Sequence, residues 1–168
     1  SAVQGSRGLG PEESPPPSLY GVRNILVDRP DLTQSQIRLG HIGMPHAHPD
    51  YLAFEVMNYI LGAGGFASRL MRRIRSDLGY TYGIRGSLEP RKHSGPFTIS
   101  TFTPTETTFP CVQEIFSVIR SFMAEGATDQ EREEAVSFLT GSYPMRFETL
   151  SQVAYRIIQA ELHGLGLE

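Results

Sequence analysis

The chain has 168 residues, 39% hydrophobic and 20% charged, enough for one domain with a buried core. A formal net charge of −3 lacks the basic footprint that nucleic-acid binders carry, and no apolar run approaches the roughly 20 residues of a membrane span. The single cysteine, Cys111, excludes an internal disulfide framework and a multi-cysteine zinc knuckle, and leaves both cytoplasm and periplasm open.

Residues 1–18 are rich in proline and glycine and hold little to bury, which predicts a disordered linker ahead of a domain over 19–168. Gly21–Asp28 and Thr33–Met44 read as strands around a turn at Arg29-Pro30-Asp31. In the second strand Ile37, Leu39 and His41 alternate with Arg38 and Gly40, and Pro45 stops it. His48-Pro49-Asp50 opens a helix whose apolar stripe is Phe54, Met57 and Leu61. The glycines of Gly62-Ala63-Gly64-Gly65 end it, and a second helix is expected from Ala67 to about Asp77.

Tyr80–Leu88 and Phe97–Phe102 alternate as strands, joined as a hairpin through Pro90–Pro96. Val112, Ile115, Phe116, Ile119, Phe122 and Met123 then form a helical stripe closed by Gly126. Thr128 with Glu131 is a capping-box signature, and a last amphipathic helix runs from Ser151 to about His163. Paired strands followed by helices, twice over, make an α+β domain. The expected architecture is two-layer, with a mostly antiparallel sheet and helices packed on one face.

Several motifs carry chemistry on paper. Gly62-Ala63-Gly64-Gly65-Phe66-Ala67 matches the dinucleotide fingerprint, but a helix, not a strand, precedes it, so the Rossmann context fails. His41, His46, His48 and Asp50 crowd a strand-to-helix corner bracketed by Pro45 and Pro49, where polar turn residues facing solvent are expected rather than metal ligands. Neither H-E-x-x-H nor H-x-x-E-H occurs, and the G-x-S-x-G elbow is absent. Cys111 opens an apolar helix and reads as a small buried hydrophobe. Arg69, Arg72 and Arg73 share a helix face, the pattern of a solvated surface. Arg75 ends that helix, and the turn at Leu78-Gly79 can bring it to the same edge as Tyr82. Both are donors suited to a carbonyl or an oxyanion. Spacing alone favours the plainer reading, an exposed arginine and a half-buried strand tyrosine.

The run HPDYLAFEVMNYILGAGGFASRLMRRIRSDLGYTYGIRG resembles the second, non-catalytic domain of the pitrilysin/insulinase family of zinc peptidases. The matching features are the glycines Gly62, Gly64 and Gly65, the Ser68-Arg69-Leu70 helix start, and Arg75 with Tyr82. The resemblance extends in pattern from about Tyr20 to Glu168. It implies a LuxS/peptidase-like metalloenzyme half-domain that faces a homologous H-x-x-E-H domain, and the zinc belongs to that partner. It implies that Arg75 and Tyr82 bind the substrate backbone and stabilise the oxyanion on the scissile carbonyl. Gly62, Gly64, Gly65 and Ser68 would lie against the peptide substrate. Arg73 with Tyr80 is an alternative pair at the same spacing, and strand alternation puts Tyr80 and Tyr82 on one face. The family domain continues with a further helix and strand, so the chain is expected to be a truncated fragment. Alone it should bind no stoichiometric zinc and cleave no peptide. A structural or peptide-binding homologue, like the core subunits of respiratory complexes, is the competing expectation.

Overall fold

The computed structural model describes Gly21, Ile25, Val27 and residues 29–166, apart from Pro90 and Lys92. The linker expected over 1–18 and most of the strand expected over 21–28 lie outside the described residues. Among the described residues, strands β1 (Gln34–Ile42), β2 (Ile84–Leu88) and β3 (Pro96–Pro104) form a three-stranded antiparallel sheet in the order β1-β3-β2. The β2–β3 hairpin places the last strand of the sequence in the middle, with β1 paired to its far side.

Register explains why the sheet has two unlike faces. Ile37 and Ile84 both pair with Thr101, Leu39 and Gly86 with Ile99, and His41 and Leu88 with Phe97. These rows point the same way and build the core face. The alternate rows, Arg38 and Arg85 opposite Ser100 and Ser87 opposite Thr98, are polar. A sheet written this way can be covered on one side only, which is the two-layer α+β arrangement expected from the sequence.

The covering layer is helical. Helix α1 (Tyr51–Asn58) continues into a π-helical segment over Tyr59–Ala63. A 3-10 turn at Gly65–Ala67 precedes the next helix, which passes into π geometry over Met71–Asp77. Helices α2 (Thr108–Glu125), α3 (Asp129–Ser142) and α4 (Leu150–His163) complete the layer. Leu70, Ile74, Cys111 and Ile115 are fully buried against Ile84 and Ile99. Each such aliphatic side chain contributes about 1.5–3 kcal/mol by leaving water. Burial also raises the Cys111 thiol pKa, as suits an inert core cysteine. Phe116 and Met123 depart from the expected stripe of α2 and are exposed. No helix among the described residues is long and apolar enough to cross a membrane.

The capping box at Thr128 forms as expected, with Thr128 Oγ1 accepting from Glu131 N and Glu131 Oε2 accepting from Thr128 N at 2.9 Å. An equivalent box at Thr149 and Gln152 starts α4 one residue earlier than the apolar pattern suggests. Glu131 has a second job. Arg69 grips it through two bonds, Nε to Oε1 at 2.7 Å and NH2 to Oε2 at 2.6 Å, and also donates to Gly126 O. The expectation that Arg69 belongs to a solvated face is therefore corrected: its side chain is 18% exposed and covers Phe122. Helical spacing cannot reveal this, because the acceptor lies on another helix.

The Arg69 hydrogen bonds hold the Glu131 carboxyl down to about 2, with the Thr128 bonds adding to the effect against burial. The ordinary glutamate value is 4.5, so this stabilisation is complete above that pH and disappears as pH falls through about 2. Glu131→Gln keeps a capping acceptor but removes the charge. Its stability deficit in denaturant unfolding should be full above about pH 5 and shrink steadily toward about pH 2. A deficit independent of pH would contradict the assignment.

Candidate functional site

The site is built where the glycine-rich turn, the second helix and the segment before β2 meet. The Arg75 guanidinium lies over two rings, 4.5 Å from the centroid of Phe66 and 4.9 Å from that of Tyr82. Phe66 is delivered by the 3-10 turn, where Gly65 at φ +58° takes a backbone conformation that a side chain resists. Arg75 sits in the π-helical segment, which ends as Gly79 N donates to Arg75 O and Tyr80 N to Ile74 O. Tyr82 is 78% exposed and points outward. Among the described residues no carboxylate or carbonyl accepts a hydrogen bond from the Arg75 side chain. The two rings lie against the guanidinium, and its N–H donors are unbonded among the described residues.

The residues of the alternative pair, Arg73 and Tyr80, have other neighbours in the fold. The segment expected as strand from Tyr80 joins the sheet only at Ile84, so Tyr80 and Tyr82 do not share a strand face. This corrects the alternation argument. The cause is competition for the backbone: Gly83 O accepts from the hydroxyls of Thr81 and Thr101, and Gly83 N donates to Thr81 Oγ1. Continued register would also bring Thr81 opposite Pro104, which has no N–H to give. Tyr80 consequently packs against the core, while Tyr82 stays exposed. Arg73 is engaged by Glu114 at 3.0 Å and Asp77 at 3.9 Å.

The four small residues of the loop divide into two kinds. Gly62 is buried, and a Cβ on it would come within 2.7 Å of Gly86 N. Ser68 is fully buried, and its hydroxyl donates to Gly65 O at 2.7 Å. These two hold the turn against β2 and itself. Gly65 lies at the surface beside Phe66, and Gly64 is half-buried next to it. Phe66 is the residue that sequence reasoning missed. Its signal was present as an aromatic among glycines, which has nothing local to pack on.

The histidines do not converge. His41 Nδ1 donates to Ile42 O, His46 stacks between Tyr51 and His163, and His48 Nδ1 accepts from Asp50 N. Burial and the neighbouring His163 lower the His46 pKa. Among the described residues no three His, Cys, Asp or Glu side chains form a group able to hold a metal ion.

A family profile described as the Peptidase M16 inactive domain matches residues 4–139. The chain is 36% identical over 104 residues to a Helicobacter pylori protein named non-peptidase homolog YmxG. It is 30% identical over 126 residues to a Rickettsia bellii protein named an uncharacterized zinc protease. These alignments cover 61% and 75% of this chain but 23% and 30% of the relatives, so the chain spans under a third of their length. A solved peptidase M16 inactive domain from Pseudomonas fluorescens superposes with a TM-score of 0.75 at 29% identity, covering 81% of this chain and 32% of that one.

Proposed function

Because the chain belongs to the Peptidase M16 inactive-domain family, as its sequence resemblance implied, we propose that it is the substrate-clamping half of a zinc peptidase. In this reading a partner domain with an H-x-x-E-H site holds the zinc and faces the Arg75–Tyr82 edge. The observation that carries it is an arginine lying against the rings of Phe66 and Tyr82, whose side chain bonds to no acceptor among the described residues. A guanidinium oriented by ring contacts presents its N–H groups in a fixed plane, which suits a peptide carbonyl. As negative charge grows on that oxygen during attack, donors already in place strengthen without reorganising. The Tyr82 hydroxyl, exposed beside Arg75, supplies a second donor. Gly64 and Gly65 let the peptide backbone approach the turn closely.

The competing reading is a homologue that keeps the fold without proteolysis, and the name of the Helicobacter pylori relative favours keeping it in view. Turnover of an internally quenched peptide by the full assembly, with Tyr82→Phe, distinguishes the two. Removing one donor should lower kcat by about tenfold or more, and a fall of less than about threefold would sink the clamp reading.

A further inference from the structure

We infer that Thr101 and Thr81 form a positioning device for Tyr82, a role that rests on the clamp reading of Tyr82. The exposed tyrosine touches Arg75 but is not fixed by core packing, so its backbone must be held instead. Threonines do this from beneath. Thr101 Oγ1 lies 2.9 Å from Gly83 O and 2.9 Å from Thr81 Oγ1, while Thr81 Oγ1 accepts from Gly83 N at 3.1 Å. On the other side of Tyr82, Thr103 Oγ1 donates to Tyr80 O at 2.7 Å. Thr81, Thr101 and Thr103 are all buried, with exposures of 8%, 7% and 0%.

Thr101 and Thr103 sit on the core face of the central strand, where the rows beside them are Ile99 and Phe97, and Thr81 packs against Thr101 from the segment before β2. Three buried hydroxyls cost more than valines would unless each is bonded, and the backbone they bond is that of Gly83 and Tyr80, on either side of Tyr82. The network also draws residues 80–83 away from the ladder. That departure separates Tyr80 from Tyr82 and leaves Tyr82 beside Arg75. Thr101 is thus a positioning residue: it acts through the backbone of Gly83 and touches no substrate.

Thr101→Val preserves shape and removes the hydroxyl; Thr101→Ser keeps the hydroxyl. In the full assembly with an internally quenched peptide, Thr101→Val should lower kcat about tenfold with KM changed less than about twofold, and Thr101→Ser should recover most of the loss. In a Tyr82→Phe background, Thr101→Val should add less than about twofold, because the group it positions is already gone. Losses that multiply in full would mean a merely structural role and overturn the inference, while leaving the clamp standing. Thr81→Val serves as a second variant if Thr101→Val does not fold.

Amide exchange of the chain tests the positioning without any turnover. Exchange at Gly83, whose N–H is bonded to Thr81 Oγ1, should accelerate about tenfold in Thr101→Val, with Leu70 and Ile99 unchanged. Unchanged exchange at Gly83 overturns the inference even if peptide cleavage behaves as expected. An insensitive Tyr82→Phe with altered exchange instead sinks the clamp alone.

Discussion

Arg75→Ala in the full assembly is expected to lower kcat for peptide cleavage by about a hundredfold, the cost of losing one preorganised donor at a developing oxyanion. The ring contacts explain why the effect should fall on kcat. With Phe66 at 4.5 Å and Tyr82 at 4.9 Å, the guanidinium is oriented before substrate arrives, so its bonds can be strongest where charge is greatest. Arg75→Lys should recover little, because a compact ammonium has no planar face to stack and no fork to present. Stability should change by no more than about 1 kcal/mol, the scale of an exposed cation–π contact. Steady-state kinetics and denaturant unfolding on the same preparations check both statements. A fall in kcat below about threefold, with the fold intact, removes Arg75 from the mechanism.

Gly62→Ala is expected to destabilise the domain by about 1–3 kcal/mol, as overpacking a tight contact does. The added methyl would lie 2.7 Å from Gly86 N, 3.1 Å from Gly86 Cα and 3.2 Å from Leu70 Cδ1. Two of these atoms are backbone and cannot rotate away, so the π-helical segment and β2 must separate. Asn58 closes the same seam, donating to Gly86 O at 3.4 Å. Gly141→Ala is the control. It lies within α3 with nothing within 4 Å of its Cβ position, and should stabilise by about 0.5–1 kcal/mol through helix propensity. A shifted denaturation midpoint at unchanged slope measures each change. Equal behaviour of the two variants would mean that the Gly62–Gly86 approach is not tight.

The elements were legible where one local rule decided them. The alternation of Ile37, Leu39 and His41 placed β1, and Thr128 with Glu131 marked the start of α3. Legibility ended where a distant group competed for the same atoms. Tyr80–Gly83 has strand periodicity, yet Thr101 takes Gly83 O from another strand. Arg69 looks like a surface residue along its own helix, yet Glu131 lies across from it on α3.

By itself the sequence determined the α+β class, because periodicity and caps are local properties of the chain, and its resemblance to a known family pointed to the candidate residues Arg75 and Tyr82. Only the tertiary structure decided which arginine is left without an acceptor among the described residues. Arg73 and Arg75 are two residues apart, and their difference comes from what folds against them: Glu114 on α2 for one, the rings of Phe66 and Tyr82 for the other. The same holds for the glycines. Gly62 and Gly65 look alike in sequence, but one is pressed against Gly86 and the other lies at the surface, since close approach is a property of two segments and not of one.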